Sequence, residues 1–271
     1  MSRNLAILSG DGHLTVLLQK ELPDSVMVVF EGMAHQLEGK PDVVAKFEHL
    51  GALFDSLKER NVTDVLMAGA MSRPHLNPAE FDSFMRSIAP DLGAMMSEGD
   101  DHLLRFVVGL FHAQGFKILS ALDVLPQCAA DPGDIVSGWD ETYVSDLTKA
   151  DHILSLMAEA DIAQAVVVED GMLLGIETLQ GTDAMLGFVS QTQAKLRNAT
   201  QKGILVKRPK SGQDLRVDIP TIGPKTVEEV ANADLAGIVI SPKNVLLLDK
   251  GELKARAKDL GIFIYAVEPA I

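Results

Sequence analysis

The chain is short of several things that common protein classes need. Cys128 is its single cysteine, which excludes an internal disulfide framework and a cysteine zinc cluster. Aromatic residues make up 5% of the 271 positions, with one Trp, so a base-stacking surface has little to build on. Bases are outnumbered, 24 Lys and Arg against 38 Asp and Glu. The resulting net charge of −14 argues against a duplex nucleic-acid binder, and no nucleic-acid partner is expected. The seven histidines show no HExxH or comparable ligand spacing. No apolar run approaches the ~20 residues of a membrane span. Met1-Ser2-Arg3-Asn4 enters an apolar strand without the regions of a secretory signal. The expectation is a soluble, intracellular protein.

What is present is an ordinary globular composition, 47% apolar and 23% charged, at a length that suits one large or two modest domains. Strands are expected at Leu5–Ser9, Val26–Glu31, Val62–Ala68 and Lys117–Ala121. Helices are expected at His13–Glu21, Asp42–Asn61, Pro78–Ile88 and Asp100–Gln114. This alternation implies a Rossmann-like parallel sheet with helices on both faces over residues 1–130. Pro, Gly, Asp and Ala then dominate, and 131–143 reads as a linker. Residues 144–271 read as a mixed α+β domain. Its hairpin, Ala165–Glu169 with Met172–Thr178, turns at Asp170-Gly171. Helices at Val144–Ala160, Thr182–Asn198, Lys225–Ala233 and Lys250–Leu260 alternate with strands at Gly203–Lys207, Gly237–Ile240, Val245–Leu248 and Phe263–Val267.

The acidity is uneven. Residues 195–225 hold eight bases and two acids, a local +6; taking that from −14 leaves −20 on the other 240 residues. Either this is a solvated basic face or it is an anion site in a chain that otherwise repels anions. Gly10-Asp11-Gly12 follows the first strand, where backbone N–H groups and a helix start suit a phosphate, although a plain tight turn explains it equally. Ala68–Pro74 occupies the equivalent place on the third strand, with Arg73 able to reach an anion. Gly99–Arg105 opens a helix with Asp100 as cap and Asp101 four residues before Arg105. Gly181-Thr182-Asp183 opens another, directly after Glu177 ends a strand. If Asp214–Asp218 is extended, Asp214, Arg216 and Asp218 share one face at period two. Carboxylates flanking a guanidinium suit Mg²⁺ and a phosphate together; a salt-bridged edge strand is the plainer reading.

These motifs, in this order over essentially the whole chain, resemble the UDP-2,3-diacylglucosamine pyrophosphatases of lipid A biosynthesis, the type unrelated to calcineurin-like phosphoesterases. The matching stretches are Ile7–Gly12, Ala68–Pro74, Gly99–Arg105, Gly181–Leu186 and Gln213–Gly223. The resemblance implies two domains with the substrate between them, and a homodimer. It implies Mg²⁺-dependent attack of water on phosphorus, releasing UMP and 2,3-diacylglucosamine 1-phosphate. It places the protein in the cytoplasm, with peripheral contact at the inner face of the inner membrane. Asp218, Asp214 and Arg216 are the expected catalytic group, with Asp218 and Asp183 as metal ligands. Gly10, Asp11, Gly12, Arg73, Asp101, Arg105, Gly181, Thr182, Asp183 and Lys207 are the expected substrate contacts.

Three positions depart from the family pattern: Gly10-Asp11-Gly12 replaces a glycine-rich triplet, Ala70 a common asparagine and Gln180 a common glutamate. On physical grounds a diphosphate needs local positive charge, which Lys207, Arg208 and Arg216 are placed to supply. Phe106, Val107, Leu110 and Phe111 are available to line an acyl chamber, or else belong to an ordinary core. Two other readings remain at this point. One is a nucleotide-cofactor oxidoreductase, with Glu31 ending the second strand but an incomplete glycine fingerprint. The other is a non-enzymatic nucleotide-sugar or lipid-binding module.

Overall fold

The apolar runs of the two halves build separate sheets. The structure, a computed structural model, describes residues 4–98, 100–197 and 200–269. It divides into two units, Met1–Val124 and Leu125–Ile271.

In the first unit β1 (Leu5–Ser9), β2 (Val26–Phe30), β3 (Val43–Ala45), β4 (Asp64–Ala68) and β5 (Lys117–Leu119) form one parallel sheet, ordered β3-β2-β1-β4-β5. This is the doubly wound order expected of a Rossmann-like sheet, with its topological switch point between β1 and β4. Helices α1 (His13–Glu21), α2 (Leu50–Glu59), α3 (Ser83–Glu98), α4 (Asp100–Ala113) and α5 (Ala121–Val124) complete the unit.

Two helices begin later than the periodicity suggests. Residues 42–61 do not form one helix: β-branched Val43 and Val44 extend the sheet edge beside β2. The Asp42 carboxylate pins that register by accepting from Met27 N at 2.8 Å. The helix expected from Pro78 opens as a short turn, and α3 starts where Asp82 accepts from Met85 N at 2.7 Å. Phe54 packs edge-on to Phe84 and Phe111, which assigns Phe111, 2% exposed, to the core rather than to an acyl chamber. Phe106 packs against the Phe81–Met85–Leu92 cluster.

In the second unit β6 (Gly133–Val136), β7 (Ala165–Glu169), β8 (Met172–Ile176), β9 (Ile204–Lys207), β11 (Gly237–Ile240) and β13 (Phe263–Ala266) form a mixed sheet ordered β6-β13-β11-β9-β7-β8. β9, β11 and β13 run parallel, and β6, β7 and β8 run antiparallel to their neighbours. β10 (Thr221–Ile222) and β12 (Leu246–Leu247) pair separately. The stretch 131–143, read as a linker, therefore contributes a sheet strand. Its turn-rich composition masks four residues whose ladder partner, β13, lies at the other end of the sequence. The β7–β8 hairpin turns at Asp170-Gly171 as expected, with φ of 45° and 74°. The Asp146 carboxylate accepts from both turn amides, at 2.9 and 2.7 Å.

Side-chain alternation sorts this sheet's two faces. Val166, Val168, Ile204 and Val206 pack against Leu147, Ala150 and Leu154 of α6 (Val144–Glu159). Val167, Leu205, Ile238 and Ile264 pack against α7 (Gly181–Ser190), α8 (Pro224–Asn232) and α9 (Lys250–Leu260). Each such aliphatic side chain stabilises the fold by about 1.5–3 kcal/mol, which is enough to seat polar groups at the strand ends. No helix among the described residues is long and apolar enough to cross a membrane.

Candidate active site

The alternation that buries β9 decides the direction of the two bases that end it. Lys207 follows Leu205 onto the α7 face, and Arg208 follows Val206 onto the α6 face. Lys207 Nζ donates to Thr182 Oγ1 at 2.8 Å, and that hydroxyl donates to Glu177 Oε1 at 2.5 Å. The second Glu177 oxygen accepts from Gln164 N at 3.3 Å. All three side chains are buried, Lys207 with 6% exposure. Burial holds the Lys207 ammonium below the ordinary lysine range, against the opposing pull of the Glu177, Asp183 and Asp218 charges. Among the described residues the ammonium makes this one hydrogen bond, although it carries three donors.

Gly181 gives the tight entry to α7. Its φ is +85°, and its N donates to Thr178 O at 2.9 Å, which sets Thr182 and Asp183 at the helix start beside Glu177. Asp183 meets Lys225 at 2.7 Å in an exposed pair. Asp218 comes from a turn, not a strand. Val217 N and Asp218 N both donate to Asp214 O at 3.1 Å, so the one-face arrangement of Asp214, Arg216 and Asp218 does not form. The Arg216 guanidinium instead folds back on Asp214 through two bonds of 2.9 and 2.6 Å, an internal bidentate pair. Gln213 donates to the Asp218 carboxylate and, at 3.4 Å, to Gln164 Oε1, while its own Oε1 accepts from Lys210 N at 2.8 Å.

The structure thus gathers Asp183, Asp218, Thr182 and Lys207, and it adds Glu177, Gln164 and Gln213. Glu177 had a sequence signal, its place at a strand end just before the Gly-Thr-Asp turn. Gln164 had none, because its proximity comes from the β7–β9 pairing. Among the described residues no group of three or more His, Cys, Asp or Glu forms a metal cage.

Much of the basic island is answered by acids from outside it. Arg208, expected to face a diphosphate, is 3% exposed and pairs with Asp151 of α6 at 2.9 Å; it also donates to Ser241 Oγ and Val267 O. Arg197 binds Glu169, Lys202 binds Asp234 and Lys210 binds Asp161. The expected place of Arg208 on a diphosphate is therefore corrected, since its charge is spent within the fold, whereas Arg216, 41% exposed, pairs with Asp214 at the surface.

A groove of about 250 Å³ lies beside the polar cluster, lined by Gly175, Ile176, Thr178, Gln180, Ala184, Met185 and Phe188. Gly175 lets α7 pack closely on β8 beside it, since a Cβ there would stand 2.8 Å from Val189 Cγ2 and 2.9 Å from Met185 Cγ. Phe188 is 68% exposed, and Leu179, between two lining residues in sequence, is 94% exposed.

In the first unit the two loops at the switch point are zipped together. Gly10 N donates to Ala68 O and Asp11 N to Ala70 O, both at 2.8 Å, and Ala70 N returns to Asp11 O at 2.7 Å. A Cβ at Gly10 would lie 2.4 Å from Ala70 O. The amides of Gly10 and Asp11 are thereby committed to the neighbouring loop, which removes the main support for a dinucleotide cradle. Gly12 adopts φ +118° at the entry to α1, and the Asp11 carboxylate accepts from Gln36 at 3.0 Å. Arg73 donates to Met96 O at 3.0 Å, and Arg105 lies exposed on α4. The side chain of Asp101 lies outside the described residues.

Comparison with known proteins covers both units. The LpxI N-terminal domain family matches residues 4–128 and the LpxI C-terminal domain family matches residues 136–265. The chain is 33% identical over 276 aligned positions, 98% of each chain, to UDP-2,3-diacylglucosamine pyrophosphatase LpxI of Caulobacter vibrioides.

Proposed function

The chain belongs to the LpxI family, and from that premise we infer that it hydrolyses the diphosphate of UDP-2,3-diacylglucosamine in lipid A biosynthesis. The products are UMP and 2,3-diacylglucosamine 1-phosphate. The observation that carries this reading is Lys207, a buried ammonium near two aspartates that uses one of its three donors among the described residues. A buried N–H without a partner costs about 1–3 kcal/mol, and a phosphate oxygen is the acceptor that would remove this cost.

Water adds to phosphorus, the bond to the UMP oxygen breaks, and the proton of the water passes to solvent or a carboxylate. No nucleophilic side chain is needed. Lys207 holds a non-bridging phosphate oxygen and stabilises the charge that grows on it, from a buried position that raises the strength of the interaction. Asp218, one of whose oxygens is held by Gln213, orients the water. The Asp214–Arg216 pair shapes the turn that carries Asp218.

Asp218 and Asp183 would hold a magnesium ion shared with substrate, Asp183 by exchanging its surface pair with Lys225. Mg²⁺ commonly takes one or two carboxylates and completes its octahedron with waters and phosphate oxygens, and Asp218 with Asp183 supplies that number. Bound there, the ion would neutralise diphosphate charge. The groove lined by Ile176, Met185 and Phe188 offers one acyl chain an apolar wall next to the polar cluster. Exposed Leu179 and Phe188 suit peripheral contact with the inner face of the cytoplasmic membrane. A homodimer completes the reading, and light scattering on the purified chain tests it.

The decisive assay is UMP release from UDP-2,3-diacylglucosamine with and without EDTA. Metal-dependent release is expected. No release under either condition overturns the reading, and substrate binding without release would make this a binding module.

A further inference from the structure

Thr182 stands among the residues expected to touch substrate, yet its single proton is already committed. Its hydroxyl donates to Glu177 at 2.5 Å and accepts from Lys207 at 2.8 Å. A threonine has one O–H donor, so none remains for a phosphate oxygen, which is itself an acceptor. Lys207 is the opposite case, with three donors of which one is used among the described residues, at 6% exposure.

We propose that Glu177 and Thr182 are positioning residues that aim the two remaining N–H groups of Lys207 at an oxygen of a diphosphate anion. The Glu177 carboxylate draws the Thr182 proton toward itself and so turns the hydroxyl lone pairs toward the ammonium. Glu177 is itself fixed, since its N donates to Ala165 O at 2.9 Å and its second oxygen accepts from Gln164 N. The hydroxyl spacer matters. A carboxylate bonded directly to the ammonium would occupy donors and quench its charge, whereas the relay uses one donor and leaves two. Burial then prevents the lysine stem from swinging to another partner.

This inference rests on the phosphate-binding reading of Lys207 given above, but its test does not require hydrolysis. Titration calorimetry with inorganic pyrophosphate, on the full chain in EDTA, measures anion binding by the protein's own groups. Wild type binds, and Lys207→Met does not. Thr182→Val and Glu177→Gln each weaken binding about tenfold or more, about 1.4 kcal/mol, while Thr182→Ser stays within about twofold of wild type. The Glu177→Gln/Thr182→Val pair is no weaker than its weaker single member, because both changes break one relay.

Absence of binding by wild type overturns the proposal. So do wild-type affinity in both single variants, losses that multiply in the double variant, or a Thr182→Ser loss equal to that of Thr182→Val. Should Thr182→Val fail to fold, Thr182→Ala and Glu177→Gln decide the matter. A wild type that binds pyrophosphate but releases no UMP sinks the hydrolase reading and leaves this one standing.

Discussion

Replacing Lys207 by Met tests the site through both activity and stability. Methionine keeps the length and apolar stem of lysine and removes the ammonium. One preorganised donor aimed at developing phosphate charge is worth about 10²–10³ in kcat, or ~2.7–4 kcal/mol. That loss is expected in steady-state UMP release. Stability should move differently. Burial lowers the affinity of Lys207 for its proton below the ordinary value of 10.5, with the charges of Glu177, Asp183 and Asp218 opposing this. Between the folded value and 10.5 the unfolded chain therefore holds more protons than the folded one. Stability rises with pH across that window; the penalty is complete below it and absent above it. Lys207→Met removes this dependence, so the stability of wild type relative to the variant should climb as pH approaches 10.5. Urea unfolding of both proteins in EDTA at a series of pH values measures it. A kcat within about threefold of wild type, or a stability difference independent of pH, would refute the reasoning.

Asp218→Asn keeps the shape and the contact with Gln213 but removes the carboxylate charge. Turnover with saturating Mg²⁺ should fall by about 10² or more, with the unfolding midpoint little changed; near-wild-type turnover would clear Asp218 of the role. Asp151→Ala strands the buried Arg208 guanidinium and should cost about 3–5 kcal/mol in urea unfolding, where a loss below ~1 kcal/mol would show Arg208 to be solvated. Ala184→Trp fills the groove beside α7. It should lower kcat/KM about tenfold for long-chain substrate and much less for a short-chain analogue, an effect of the size that hydrophobic pockets give for about one methylene. A loss independent of chain length would remove the groove from the acyl path.

Several signals that depend on neighbours in sequence were legible. The Asp170-Gly171 hairpin, the glycine that opens α7 and the apolar runs of β1, β4, β7 and β9 all appear where pattern placed them. Asp42–Val44 misled because helix periodicity cannot register a sheet edge waiting for β-branched residues. β6 was hidden because its partner lies more than a hundred residues away. Asp214–Asp218 reads as alternating, but the Asp214 carbonyl accepts two amides of its own turn and curls it. Gly10 reads as a phosphate loop, and it is equally what two loops need to approach within hydrogen-bonding distance.

Sequence alone determined the two-part organisation, the family motifs and the concentration of positive charge in 195–225. It could not say which of those charges would be left to act, because that depends on acids brought in by the fold. Glu169 reaches Arg197, Asp151 reaches Arg208 and Asp161 reaches Lys210, each from an element outside the basic segment. Strand alternation sends Lys207 the other way, to a neutral hydroxyl instead of a carboxylate. Among the described residues, tertiary structure thereby commits several bases of the +6 segment to fold-supplied acids and leaves Lys207 a buried ammonium with donors to spare, since in a low-dielectric interior the partner decides what a charge can do.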